Sequence, residues 1–556
     1  MNFKDIKNIL PVTALALTIG LSSCVKDLDV EPIDPRKNTT VDAQKLFNKC
    51  YAEFVLEGNG PGDSELDLGD AGLSVLYRLM WNANELTTDE AICGWTDKGI
   101  PEFVYNSYTA TNDCIYGLYW RLCFGVSICN QYLKECSGYD ASMTAEVHFL
   151  RDLYYYYLLD NFGNPSFTES VSSDDPRQIK SAELFDWIVA DLKENMGNML
   201  APSIRKKGTA NYGRADQSAA WMLLARLYLN AEKYTGTAHW ADAMEYAGKV
   251  INESGRSLWQ GDNTTTHKSA NGKYSAYQML FMADNDTSGA MNEAIFSFVT
   301  DGASTASWGA STFLFASSWD GNMVANYPQK TDQAWGGNRT RKELIEKFIS
   351  LTDFDALPNW KTETIVAAAG DDRALFFGDN ADGGGGVKDR KYTNDKVSEF
   401  TEGIATTKYS SCRSDDGETS NTTHLDNDIF LMRLPEAYLI YAEAEARDGG
   451  VSGTKATGTG YINQLRTRAN NNNQKTSYTL DEILDERARE LYFEGVRRTD
   501  LIRYGYFGGN SAYTWQWKGG IQAGGQFEAY KNIFPIPTTE LGANHNLDQN
   551  DGYQKK

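Results

Sequence analysis

The chain has 556 residues, 41% of them hydrophobic and 23% charged, which is ample for a large core and allows either several domains or one elaborated domain. A formal net charge of −22, with no Lys/Arg-rich patch, excludes a general nucleic-acid or anionic-lipid binder. The 13 Trp and 31 Tyr, many in Gly/Ser/Asn-rich stretches, suit ligands that are half apolar and half hydroxyl, such as sugars, although a large core also uses such rings.

In chain order, Lys4 and Lys7 precede an apolar run over 9–21, too short to span a bilayer, and Leu21-Ser22-Ser23-Cys24 follows. This pattern resembles a bacterial lipoprotein signal, so residues 1–23 are expected to be removed and Cys24 lipidated. Val25-Lys26-Asp27-Leu28-Asp29 resembles the Lys-plus-acidic signal that sends Bacteroidetes lipoproteins to the outer face of the outer membrane. Residues 27–40 read as a polar tether. Seven cysteines remain after Cys24, and their spacings match no zinc or disulfide framework, so most read as small buried apolar residues.

Apolar spacing predicts helices over 41–56, 113–135, 143–161, 184–196, 216–231, 240–251, 431–447, 460–469 and 480–494. Thr479 and Glu482 form a capping box for the last, and Gly495 fits its C-terminal end. Trp221-x2-Leu224-Ala225-x2-Tyr228 is close to the tetratricopeptide pattern, with Ala replacing Gly. The fold expected is mostly α: irregular tetratricopeptide-like helix pairs over about 41–57, 112–253 and 430–505, carrying loop-rich insertions over about 58–111, 254–429 and 506–556.

The C-terminal block carries a family resemblance. Arg433-Leu434-Pro435-Glu436-Ala437-Tyr438-Leu439, Ile462-Asn463-Gln464-Leu465-Arg466-Thr467-Arg468-Ala469, Glu486-Arg487-Ala488-Arg489-Glu490-Leu491, Glu494-Gly495-Val496-Arg497-Arg498, Phe534-Pro535-Ile536-Pro537 and Asn550-Asp551-Gly552-Tyr553 resemble the motifs of the SusD/RagB family. Gly213-Arg214-Ala215-Asp216 and Phe281-Met282-Ala283-Asp284 bring the likeness closest to its starch-binding subgroup. It implies that 24–556 is a single SusD-like domain that binds a glycan without cleaving it. It also implies an outer-membrane lipoprotein facing the exterior, whose partner is a SusC-like TonB-dependent transporter.

That subgroup holds α-glucan on an arc of aromatic rings, which Trp95, Trp308 and Trp335 resemble in position. Each stands beside Gly in polar surroundings, off any helical stripe, unlike Trp221 or Trp240. Trp319 and Trp360 also fall in loops, so loop placement alone does not select the three. Arg78 matches a sugar-binding arginine. Cys93 stands where the starch binder has another aromatic, and Lys98 stands near its sugar-binding asparagine, which leaves starch or an α-1,6-glucan such as dextran open.

A surface glycoside hydrolase is the alternative, but it needs two carboxylates across a sugar site. The interleaved Glu486, Glu490 and Glu494 read instead as ion-pair partners of nearby arginines. No cofactor is required. Asp284, Asp286 and Asp428 are candidate oxygen ligands of a structural Ca²⁺. The five histidines make no metal or triad spacing, and 383–386 reads as a flexible glycine run.

Overall fold

The computed structural model describes residues 41–263, 268–379, 388–450, 453–510 and 512–555. The expected signal peptide, Cys24, the expected tether, His267 and the run 383–386 lie outside them. Residues Gln44–Lys556 form one compact unit.

The larger elements are, in order, α1 (Ala43–Ala52), α2 (Leu76–Glu85), β1 (Ala91–Cys93), α3 (Asp113–Cys136), α4 (Ala141–Phe162), α5 (Ser181–Asn195), α6 (Gln217–Thr235), α7 (Trp240–Glu253), β2 (Ala294–Phe298), β3 (Asn338–Thr340), β4 (Ile429–Arg433), α8 (Leu434–Arg447), α9 (Ala456–Arg468), α10 (Leu480–Leu491) and α11 (Arg497–Arg503). Among the described residues the strands form two-stranded sheets, β1 with β3 and β2 with β4 among them. The mostly α expectation holds.

Short polar residues start the long helices. Asn112, Asp140 and Asp216 accept the N–H of Ile115, Met143 and Ser218, and Thr479 with Glu482 makes both halves of the expected capping box. From α3 to α8 each helix packs on the next, and α8 also packs on α9 and α10. The tetratricopeptide-like pattern lies on α6, where Leu224 and Ala225 are fully buried. Its Tyr228 stacks on Tyr246 of α7 at 5.7 Å and meets Phe185 of α5 edge-on at 6.0 Å. One ring thus fixes three consecutive helices, as stacked pairs require when no pair can bury its apolar face alone.

Three expectations need correction. Residues 431–433 are strand, not helix: β4 pairs antiparallel with β2, and both strands are buried throughout. Pro435 accounts for the boundary, because it is tolerated only in the first turn of a helix. The helix expected to reach 494 ends at Leu491; Phe493 takes φ +63° and Gly495 φ +78° in the turn beyond it. That turn lets the Gly495 N–H donate to Glu85 and carries Glu494 to Arg433 and Lys408. Finally, the stretch 58–111 is not wholly irregular. It contains α2, buried on every side and packed on α3 and α11.

The charged residues of α10 pair chiefly with distant segments, and only secondarily along their own helix. Glu490 binds Arg433 at 2.6 Å, Arg373 at 3.0 Å and also Arg468, all buried. Glu486 binds Arg373 at 2.9 Å and Arg466 at 2.8 Å, with Arg489 of its own helix at 2.8 Å. Burial would raise the Glu490 carboxyl, but Arg468, Arg433 and Arg373 outweigh it and hold it at about 2. Glu486 and Glu494 are lowered likewise, so all three stay ionised. Six of the seven cysteines are buried and Cys123 is half-buried, all as free thiols. Among the described residues, no helix is long and apolar enough to cross a membrane.

Candidate glycan-binding cleft

Trp95 and Trp335 are brought side by side by one short antiparallel ladder. Ile92 pairs with Arg339 and Cys93 with Asn338, and the Gly94 N–H extends the ladder to the Gly337 carbonyl at 3.0 Å. The segment carrying Trp335 is clipped onto the end of a one-and-a-half-turn helix, Ser311–Ala316. The N–H groups of Trp335, Gly336 and Gly337 donate to the carbonyls of Ala316, Trp319 and Ser317 at 2.7–2.8 Å. The Ala316 and Ser317 carbonyls stand at the C-terminal end of that helix, where intrahelical partners run out.

The glycines beside the rings have specific tasks. A Cβ on Gly337 would lie 2.2 Å from Cε2 of Trp95, so only glycine lets that indole lie across the backbone. Gly336 turns the chain with φ +62°. Below, Arg339 is fully buried and binds main-chain carbonyls instead of carboxylates: Val397 at 2.6 Å, Lys396 at 3.1 Å and Gly337 at 3.4 Å. Trp308 is fixed by its N–H, which donates to the buried Glu57 carboxylate at 2.6 Å, and its ring meets His424 at 4.3 Å. Burial holds the His424 imidazole below its ordinary 6.5, so it supports the indole as a neutral ring at pH 7.

The three indoles form one continuous bent wall. Trp95 to Trp335 is 6.3 Å between ring centroids with planes at 46°, and Trp335 to Trp308 is 6.1 Å at 47°. All three are half-buried, whereas Trp319 and Trp360 are buried, which separates cleft-lining rings from core rings that the sequence could not tell apart. They line a cleft of about 650 Å³ together with Arg78, Asp70, Asp97 and Gln333. Arg78, on α2, lies 5.2 Å from the Trp95 ring and donates to Asp70 at 3.0 Å, while its buried Nε has no partner among the described residues. Gln333 accepts from the Trp335 indole N–H at 3.1 Å. Flat apolar faces edged by a few fixed polar groups are what a sugar ring, with its C–H face and peripheral hydroxyls, can occupy.

The family model described as the SusD family matches residues 292–553. Over the whole length of both chains, the sequence is 38% identical to the starch-binding protein SusD of Bacteroides thetaiotaomicron. The chain belongs to the SusD family. All the C-terminal motifs that carried the resemblance fall within the matched residues. Solved structures with the same fold include a SusD superfamily protein from Parabacteroides distasonis (20% identity, 92% of this chain and 98% of that one, TM-score 0.66). Another is surface glycan-binding protein A from Bacteroides thetaiotaomicron, in complex with laminarihexaose (21% identity, 91% and 98%, TM-score 0.62).

Of the residues expected at a SusD-family sugar site, the fold brings Trp95, Trp308, Trp335 and Arg78 together. Lys98 is not among the cleft's lining; its exposed Nζ stands 4.0 Å from Asp113. Cys93 points into the core on β1, its thiol pushed up to about 12 by burial. Asp70, Asp97 and Gln333 were missed, because single polar residues in loops carry no periodic or spacing signal.

The three calcium candidates lie elsewhere. Asp284 accepts from the Ser414 N–H and hydroxyl at 2.9 and 2.7 Å, Asp286 pairs with Lys207 at 3.2 Å, and Asp428 accepts from Tyr212 at 2.6 Å. Burial, reinforced by Asp286, pushes Asp428 up to about 8. Among the described residues, no group of three or more His, Cys, Asp or Glu is placed to hold a metal ion.

Proposed function

We propose that this chain captures starch or a related α-glucan at the cell surface, without cleaving it, and passes it to a SusC-like TonB-dependent transporter. The observation that carries this reading is the bent wall of three half-buried indoles. Successive rings tilted by 46–47° offer a curved platform, which suits the turning path of an α-linked glucan better than a flat ribbon. The starch-binding relative supports the same ligand class.

The test is a polysaccharide panel by calorimetry, including maltoheptaose for α-1,4 and isomaltoheptaose for α-1,6 linkages, with an assay for reducing sugar on every ligand bound. Saturable binding with no release of sugar is expected. Release abolished by Asp97→Asn or Asp70→Asn would establish the hydrolase alternative instead.

Anchoring rests on Cys24. A lipid tether holds the protein at the membrane without fixing its orientation, which lets it swing over a transporter as a lid. Cys24→Ala is expected to give soluble protein or an uncleaved precursor, and mild detergent extraction of the unaltered protein is expected to copurify a TonB-dependent barrel. Retention of Cys24→Ala in the outer membrane would refute the anchor.

Calcium belongs to the same proposal. If Ca²⁺ binds at Asp286 and Asp428, millimolar calcium should raise the melting temperature and Asp428→Asn should abolish that rise. An equal melting temperature with calcium and with chelator would dismiss it.

A further inference from the structure

A second cleft, of about 720 Å³, opens in the loop-rich part of the chain, lined by segments within 268–282, 327–328, 361–379 and 407–410. Its chemistry is mixed in a particular way. Tyr274 and Tyr327 are half-buried rings in its wall, and the Thr362 and Thr407 hydroxyls meet at 3.0 Å. Asp379 is 4% exposed; its Oδ1 accepts the Trp360 N–H at 2.7 Å, but its buried Oδ2 has no hydrogen-bond partner among the described residues. Two further lining amines, Lys268 and Lys361, have no ion-pair carboxylate among the described residues, whereas Lys273 and Lys408 are paired with Asp416 and Glu494.

The cleft therefore offers an acceptor lacking a donor, amines lacking an acceptor, and aromatic faces. An anion would confront Asp379 and Glu363, and an apolar ligand would leave the carboxylate oxygen and the amines desolvated and unpaired. A polyol, which donates and accepts from each hydroxyl and has C–H faces for the rings, satisfies all three.

The two clefts share one connecting segment. Tyr327 lines the second, and Trp335, on the same segment, lines the first. Fully extended, that segment spans at most about 29 Å, so one polymer can reach from cleft to cleft. We propose that this cleft is a second binding site for a segment of the same α-glucan. The inference rests on the glucan reading of the tryptophan cleft, and deepens it: the protein would hold its polymer at two points, raising avidity without any new contact at either.

Calorimetry with whichever of maltoheptaose or isomaltoheptaose the protein binds tests it, alongside polymeric glucan of the same linkage. The unaltered protein should take two oligosaccharides. Trp95→Ala/Trp308→Ala/Trp335→Ala should keep one, and Tyr274→Ala/Lys361→Ala should keep the other. Each set should lower apparent affinity for the polymer by at least about tenfold. Because Tyr274 also packs on Met279, Met282 and Cys412, Lys361→Ala alone, with a thermal melt, guards against misfolding. A stoichiometry of one, with no residual binding in the tryptophan variant and wild-type polymer affinity in the Lys361 variant, would overturn the second site and leave the first intact. No binding of either oligosaccharide by the unaltered protein would overturn both.

Discussion

Truncating Trp335 to Ala should weaken α-glucan binding by about 1–3 kcal/mol, the range for exposing a large apolar side chain, or roughly 5- to 150-fold in Kd. Trp335 is the ring to choose because it touches both of the others, at 6.3 and 6.1 Å. Without it the wall breaks into two separate rings. Ligands long enough to cover all three indoles should lose most, and a disaccharide that covers one should lose little. Folding should be nearly unchanged, since the segment is held by main-chain N–H groups of Trp335, Gly336 and Gly337, which the substitution leaves in place. Paired titrations and thermal melts check this; unaltered binding, or a protein that unfolds, would contradict it.

Glu490→Gln should destabilise the fold by about 3–5 kcal/mol, the cost of removing one partner from a buried ion pair. The carboxylate is fully buried and meets Arg373, Arg433 and Arg468, which come from three separate parts of the chain. An amide keeps the shape, but it leaves those guanidinium groups with one charge too few and places N–H donors against donors. The network also sets the response to acid. The Glu490 carboxyl is depressed from 4.5 to about 2 in the folded protein, so its contribution is present above pH 4.5 and is lost as the pH falls towards 2. Denaturant melts at pH 7 and across pH 5 to 2 measure both effects. A loss below about 1 kcal/mol at pH 7, where surface ion pairs lie, would contradict the structural role.

The sequence made the scaffold visible where local chemistry decides structure. Thr479 with Glu482 starts α10 as their spacing predicted, whereas the caps Asp140 and Asp216 of α4 and α6 emerge only in the structure. It hid α2, because a helix buried on every side has no polar face to alternate with, and Asn82, Asn84 and Glu85 blur its apolar run. It misplaced the end of α10, where Gly495 serves a contact with Glu85 from the other end of the chain. The three tryptophans were singled out from their Gly-flanked polar settings and the family resemblance together, and the fold places them in one wall. What was not legible was which loops meet: Arg78 reaches Asp70 through the fold, while Lys98, adjacent in sequence to the lining residue Asp97, stays outside the cleft.

The most direct measurement is a crystal structure of the protein grown with maltoheptaose or isomaltoheptaose. An intact oligosaccharide is expected to curve along Trp95, Trp335 and Trp308, with glucose C–H faces on the indoles and hydroxyls at Arg78 and Asp70. An oligosaccharide held elsewhere while this cleft stays empty, or one cleaved within it, would contradict the account.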